Sequence, residues 1–281
     1  RIWAQAISRF LPMGQRLSKA GLQKRLGPRQ LEAVKSLSEM ILTRQLQPLH
    51  RQCQAAAWFA PIGQVLVEDS VCIRLNPSLS EVYRGGRNQT RRPSAVARIQ
   101  LAIELKSLQY TRFVLQGYRD NDQKWSRQIL SLLSAGDLVI RDMGYFVLSS
   151  FEHIMGAFFL TRYKLPTALY EGKQGKRIDL LKRLEQARGK GQTLIEIPVW
   201  AGSHHRLPLR RVASEVPSEV LEARVRKAKK DRNPRTRHNQ PYFALLRWNI
   251  FLTNVSAHDW PAEQIRQIYG FRWQIEIIFN V

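Results

Sequence analysis

The sequence predicts an α/β fold: a mixed β-sheet flanked by helices, with a helical N-terminal region and a β-rich insertion. Three observations carry that expectation. Between residues 64 and 142 the pattern reads strand, strand, strand, helix, strand. Two of those strands hold an aspartate among alternating apolar residues. A helix with clear start signals closes the chain and carries a glutamate at the edge of its apolar face. The 281 residues, 44% of them hydrophobic, suffice for one large domain or two modest ones.

Residues 1 to about 60 read as helical and form the first expected domain. Leu31, Val34, Leu37, Ser38, Ile41 and Leu42 keep helical spacing behind Gly27-Pro28. Arg9, Arg16, Lys19, Lys24, Arg25 and Arg29 make this part basic, which suits a DNA-contacting module and a solvated face equally. Residues 61–281 form the second domain, opening on a strand over 64–75. Val65, Val67, Val71, Ile73 and Leu75 point to one face, and Asp69 lies in the middle of it; Glu68, Ser70 and Arg74 take the other. A strand that buries its odd face buries that carboxylate too, at a cost of several kcal/mol unless a positive group meets it.

A polar connection, Tyr83 to Asn88, leads to a second strand over about 96–105, where Ala97, Ile99, Leu101, Ile103 and Leu105 alternate. The third spans about 110–117 and ends in the turn signal Gly117 to Asp122. A helix over about 124–134 presents Trp125, Ile129, Leu132 and Leu133, and Gly136 stops it. The fourth strand ends at Asp142, which shares a face with Leu138 and Ile140. Three strands in an antiparallel meander, then a helix and a parallel fourth strand, is the order of the ribonuclease-H-like fold.

From about 150 to 240 the composition shifts to a β-rich insertion, with strands at Phe158–Arg162, Thr193–Val199 and Leu207–Val212. A helix from Ser218 to about Lys230 then carries Arg224, Arg226, Lys227, Lys229 and Lys230, followed by Arg232, Arg235 and Arg237. Such a run is ordinarily a solvated face. In a chain with 45 Lys+Arg, 22 Asp+Glu and a formal charge of +23, it reads as a phosphate-contacting surface. The same excess selects a polyanionic partner, nucleic acid ahead of an anionic membrane. A strand over 242–254 returns to the core. Cys53 and Cys72 provide neither a disulfide framework nor zinc spacing, so a reducing cytoplasm is expected. No apolar run reaches membrane-span length and no signal-peptide pattern opens the chain. Arg1 stands first and the closing helical pattern still runs at Val281, which reads as a fragment at both ends.

That closing helix starts with Asp259 or a neighbour as cap, Pro261 in its first turn and Glu263 behind. With Tyr269 at zero and about 100° per residue, Arg272 falls at about 300° and Glu276 at about 340°. Ile268, Phe271, Ile275, Ile278 and Phe279 fill the adjoining arc. Alone, Arg272 and Glu276 make a simple i, i+4 ion pair worth a few tenths of a kcal/mol. Beside two aspartates on buried faces, they read as the third part of a metal site that cuts DNA.

The residues then match a family. Tyr269-x2-Arg272-x3-Glu276, Asp142-Met-Gly-Tyr-Phe146, Glu68-Asp69-Ser70 and the strand Arg247 to Asn254 resemble the motifs of insertion-sequence DDE transposases of the IS-4 group. The resemblance covers residues from about 60 to 281. It implies a DNA transposase in which Asp69, Asp142 and Glu276 are catalytic and hold two Mg²⁺ ions, with Mn²⁺ substituting. Water would free the 3′ end of the element, and that hydroxyl would attack target DNA. Tyr269 and Arg272 would hold phosphate or a flanking base. The implied partners are double-stranded DNA, as terminal inverted repeats and target, and a second copy of the chain in a synaptic homodimer. The implied location is the bacterial cytoplasm at the nucleoid, with no membrane. The family signature continues to a lysine seven residues after the glutamate, beyond Val281, and position 280 is Asn where relatives often carry lysine. That departure motivates a second expectation, a truncated and inactive DNA-binding remnant. A nuclease or resolvase on the same fold is a third.

Overall fold

The computed structural model describes residues 55–86, 94–120, 122–154, 156–204, 206–231 and 239–280, with Glu32, Ser36 and Met40 before them. Those three are helical and exposed. The rest of the basic helical segment before Ala55, with Arg232, Arg235 and Arg237, lies outside the described residues. The chain divides into two compact units, Arg1–Leu49 and His50–Val281. Everything below concerns the second.

That unit opens with helix α1 (Ala55–Phe59) and strand β1 (Val65–Leu75), followed by β2 (Ala95–Glu104) and β3 (Gln109–Gly117). Helix α2 (Asp122–Trp125) leads to β4 (Leu138–Arg141), α3 (Leu148–Phe151), β5 (Phe158–Arg162) and β6 (Leu169–Tyr170). Then come α4 (Leu180–Gly189), β7 (Leu194–Ala201), β8 (Leu207–Glu215), α5 (Ser218–Lys230) and α6 (Gln240–Leu245). The unit closes with β9 (Trp248–Thr253), α7 (Ala262–Gly270) and α8 (Trp273–Asn280). Among the described residues the strands form a nine-stranded sheet in the order β3-β2-β1-β4-β5-β9-β8-β7-β6. β1, β2 and β3 pair antiparallel, while β4 and β5 run parallel to β1. The expected insertion prolongs this same sheet, because β9 pairs with β5 on one side and β8 on the other. It also contains the helices α4 and α5.

Helices cover both faces. On the front, Val65, Val67, Leu138, Ile140 and Phe251 pack against Phe59 of α1, Ile265 and Ile268 of α7 and Ile275 of α8. On the reverse, Leu66, Val139, Phe159 and Leu252 pack against Ile129, Phe151 and Ile178. This corrects the expected half-buried alternation of β1. Leu66 and Glu68 are fully buried as well as Val65 and Val67, whereas Cys72, Ile73 and Arg74 are exposed. The cause is strand length: β4 pairs only with Val65 to Glu68, and beyond that point β1 runs on with β2 alone. A strand covered on both faces loses its alternation.

Three other expected elements differ. The helix placed at about 124–134 is α2 followed by a 3₁₀ turn over Gln128–Leu132. Ser126 interrupts it, since its carbonyl accepts from Arg141 Nη2 at 2.8 Å and its hydroxyl donates to the Tyr145 carbonyl at 2.8 Å. The strand placed at 242–254 begins only at Trp248; the residues before it form α6, whose first turn Asn239 caps by accepting from the Tyr242 amide, with Pro241 at the helix start. The single closing helix is two. At the break the amides of Phe271, Arg272, Gln274 and Ile275 bond the carbonyls three residues back, a tightened turn between α7 and α8.

Arg210 fastens the approach to α7. From β8 its guanidinium donates to the carbonyls of Val255, Ser256 and Trp260 at 3.2, 3.1 and 2.6 Å and pairs with Glu196. We expect Arg210→Met to destabilise the unit by about 3 kcal/mol, through lost bonds and a carboxylate left without its partner. Urea unfolding of parent and variant measures this, and a change within about 0.5 kcal/mol would refute the assignment.

Candidate active site

The parallel register brings two aspartates to one level. Val67 lies beside Ile140, Glu68 beside Arg141, and across β4 Arg141 lies beside Thr161. The next residues along the three strands are Asp69, Asp142 and Arg162, where β4 and β5 end. Carboxyl ends of parallel strands are where open α/β sheets build ligand sites. Alternation turns Asp69 and Asp142 toward the front face with Val67 and Ile140, against α7 and α8.

Those two helices supply the rest. Tyr269 Oη donates to Asp142 Oδ1 at 3.3 Å. Arg272 Nη1 donates to Asp69 Oδ2 at 2.9 Å, and its Nη2 to Glu276 Oε1 at 2.7 Å. Residues separated by about two hundred positions thus meet through one guanidinium. The simple Arg272–Glu276 ion pair read from the sequence is present, but the same arginine also bonds Asp69. The expected stripe therefore survives the break in the helix. Arg272, in the tightened turn, faces both acids.

Burial and mutual repulsion set the charges. Burial pushes the Asp69 carboxyl up to about 6; the Ser70 amide and Arg272 pull it down, while Asp142 and Glu276 push it further up. Burial works against the charge on Arg272, yet Tyr269, Glu276, Asp69 and Asp142 outweigh it and strengthen the charged form. Burial and then Asp142 push the Tyr269 phenol well above its ordinary range, so it remains a donor. Three carboxylates are a hard-oxygen donor set suited to Mg²⁺ or Mn²⁺. Asp69 and Glu276 are bridged by Arg272 here, and among the described residues no group of three or more His, Cys, Asp or Glu is arranged to hold a metal ion. The residue types fit divalent cations, and Arg272 bonds one oxygen of Asp69 and one of Glu276.

A groove of about 1030 Å³ adjoins this centre. It is lined by Met143, the neighbour of Asp142, by Arg162, and by Arg226, Lys227 and Lys230 of α5, with Asp231 among the lining as an acid. Lys229 is exposed outside the lining. Arg224 also lines the groove but is tied inward, donating to the Leu246 and Trp248 carbonyls at 3.0 and 3.4 Å and to Asn249 Oδ1 at 2.6 Å. Of the five basic residues singled out in α5, that one joins the helix to β9. Sequence reading missed Arg162. Its signal was available, since it ends an apolar strand at the level of the aspartates. It also missed the buried pair Glu68–Arg141, because Glu68 was assigned to an outer face.

Residues 61–281 match the family described as "Transposase DDE domain". Over 95% of the chain, it is 26% identical to the transposase for insertion sequence element IS231F of Bacillus thuringiensis subsp. israelensis and 28% identical to that for IS231C of subsp. berliner. At 23% identity, also over 95% of the chain, it matches the transposase for IS1151 of Clostridium perfringens. The chain spans 59% of the length of each of these relatives. With the family match extending over residues 61–281, well over half of the sequence, the chain belongs to the transposase DDE domain family.

Proposed function

We propose that this chain carries the catalytic centre of an insertion-sequence transposase, which cleaves DNA and transfers its strands with Asp69, Asp142 and Glu276 as the catalytic carboxylates. The observation that carries this reading is the meeting of those acids through Tyr269 and Arg272 beside a basic groove. The half-sheet β3-β2-β1-β4-β5, an antiparallel meander continued by parallel strands, supports a ribonuclease-H-like core. No helix among the described residues is long and apolar enough to cross a membrane.

In the mechanism, Asp69, Asp142 and Glu276 would hold two Mg²⁺ ions, or Mn²⁺ in their place. The chemistry that such ions would supply there is activation of a water or 3′-hydroxyl and stabilisation of the leaving oxygen of an in-line displacement at phosphorus. The chain's own residues do the rest. Tyr269 keeps its proton and fixes one oxygen of Asp142, leaving the other for a cation. Arg272 exchanges carboxylates for phosphate, which its forked guanidinium matches in geometry and charge. Arg162, Arg226, Lys227 and Lys230 hold the DNA backbone in the groove, with Lys229 beside them. Element ends and target DNA are the substrates, a homodimer brings two ends together, and the work is done at the bacterial nucleoid in the cytoplasm.

Nicking of supercoiled plasmid in Mg²⁺ or Mn²⁺ tests the centre. The parent is expected to nick, and Asp142→Asn to lose at least a hundred-fold in rate while binding DNA as tightly or more so. Equal nicking by both sinks the proposal. A parent that binds DNA without nicking favours the second reading, a DNA-binding remnant, which the Arg272 bridge between Asp69 and Glu276 supports.

Asp69 gives a pH test. Its folded-state pKa of about 6 lies above the ordinary 3.8, so the metal-free protein binds more protons than the unfolded chain in that interval. The stability this group adds at low pH is therefore lost as pH rises from about 4 through about 6. Asp69→Asn lacks that loss. In EDTA at pH 7 the variant is expected to be about 2 kcal/mol more stable than the parent, and no more stable at pH 4. A variant weakened at pH 7 contradicts this.

The groove gives a salt test. Replacing Lys227 and Lys230 with Ala should lower the slope of log affinity against log salt by about 2, with little dependence on DNA sequence. An unchanged slope, measured by fluorescence anisotropy on duplex DNA, removes the groove from the interface.

A further inference from the structure

Behind the candidate centre, the reverse face carries a circuit of buried and half-buried polar groups that the proposed chemistry does not use. Glu68 and Arg141, the immediate predecessors of Asp69 and Asp142, are 0% and 1% exposed and pair at 2.6 Å. Arg141 Nη1 donates to Ser126 Oγ at 3.1 Å, and that hydroxyl donates to the Tyr145 carbonyl at 2.8 Å. The Tyr145 hydroxyl, fully buried, donates to Gln100 Oε1. Gln100 Nε2 donates to Asp122 Oδ1 at 3.1 Å, which also accepts from Arg98 at 2.8 Å and Ser70 Oγ at 2.7 Å. Ser70 closes the circuit, because its amide donates to Asp69 Oδ1 at 2.8 Å.

The circuit acts on the turn that carries Asp142. That turn is a single 3₁₀ stretch, Met143–Tyr145, with no side-chain cap on Asp142. Tyr145 is held at both ends, by its carbonyl and by its hydroxyl. Asp122 lies against the same turn, since a Cβ on Gly144 would stand 2.9 Å from Asp122 Oδ2. Glycine at that position is what lets the carboxylate reach across to Ser70 and Gln100. The reverse face therefore fixes both aspartates, one through Ser70 and the other through Tyr145.

We propose that this circuit, with Tyr145 as its central member, is a set of positioning residues that hold Asp69 and Asp142 at the separation needed to share divalent cations. The inference rests on the carboxylate-centre reading above. Groups that orient metal ligands from behind typically cost about 10–100-fold in metal affinity or activity when removed.

Tyr145→Phe deletes only the hydroxyl. Tyr163→Phe is its control, because Tyr163 is a partly buried phenol whose Oη donates to the Thr167 carbonyl at 2.6 Å. Mn²⁺ binding by electron paramagnetic resonance and amide exchange in the metal-free protein are measured on all three. In Tyr145→Phe, Mn²⁺ affinity is expected to fall about ten-fold and the Tyr145 and Phe146 amides to exchange faster, with neither change in Tyr163→Phe. Ser126→Ala, which opens the circuit at the Tyr145 carbonyl, should act in the same direction and serves if Tyr145→Phe fails to fold. Equal Mn²⁺ affinity in parent, Tyr145→Phe and Ser126→Ala overturns the proposal, whatever happens to melting temperature. A parent that binds no Mn²⁺ overturns the carboxylate-centre reading instead. The exchange arm then decides alone whether the circuit holds the turn: faster exchange supports it, unchanged exchange rejects it.

Discussion

Three carboxylates pressed toward one covered face of a sheet repel one another, and Arg272 sets a positive charge among them by bonding Asp69 and Glu276 together. Much of the front of the molecule serves this contact. The register of β1 against β4 sets the two aspartates level. The tightened turn between α7 and α8 places Arg272 between helices rather than along one. Arg210, holding the carbonyls ahead of α7, fixes where that pair of helices begins. The strands and the helix pair lie far apart in sequence, so the centre exists only in the folded unit.

Neighbouring residues on β1 and β4 have opposite electrostatic tasks because strand alternation sends them to opposite faces. Glu68 and Arg141, of opposite sign, meet directly on the reverse, with Arg112 3.8 Å from the other Glu68 oxygen and Ser126 accepting from Arg141. Asp69 and Asp142, of the same sign, cannot do so. Their compensation has to come from the helices on the front, from a cation, or from protons, as the raised carboxyl of Asp69 records. The reverse pair thus contains its own counter-charge, whereas the front pair needs a positive group from elsewhere.

What the sequence made legible follows from the range of each signal. Strand and helix order was readable through β5, since period-two runs and turn residues act locally. Asp69 and Asp142 stood out as charges within apolar alternation, and Tyr269, Arg272 and Glu276 through their spacing. What escaped depends on contacts between distant segments. Glu68 belongs to a buried face where Arg141 of β4 and Arg112 of β3 meet it, and Val71 and Ile73 look like core although β1 has outrun β4 there. Ser126 ends a helix that its neighbours favour because a carbonyl is drawn to Arg141, fifteen positions away. Arg224 looked like its neighbours in a basic run, and only the fold reveals which carbonyls it meets.

The division of labour within α5 follows from side-chain chemistry. A guanidinium offers five donors in a fixed fork, so one arginine can satisfy the Leu246 and Trp248 carbonyls and the Asn249 amide oxygen at once. A lysine in that place would present one ammonium and leave some of those acceptors unmet. The reverse holds for the exposed positions. Lys227, Lys229 and Lys230 carry compact charge on flexible stems, suited to tracking a phosphate backbone without fixing its sequence. The arginine anchors the helix, and its neighbours Arg226, Lys227 and Lys230 line the groove together with Met143 and Arg162.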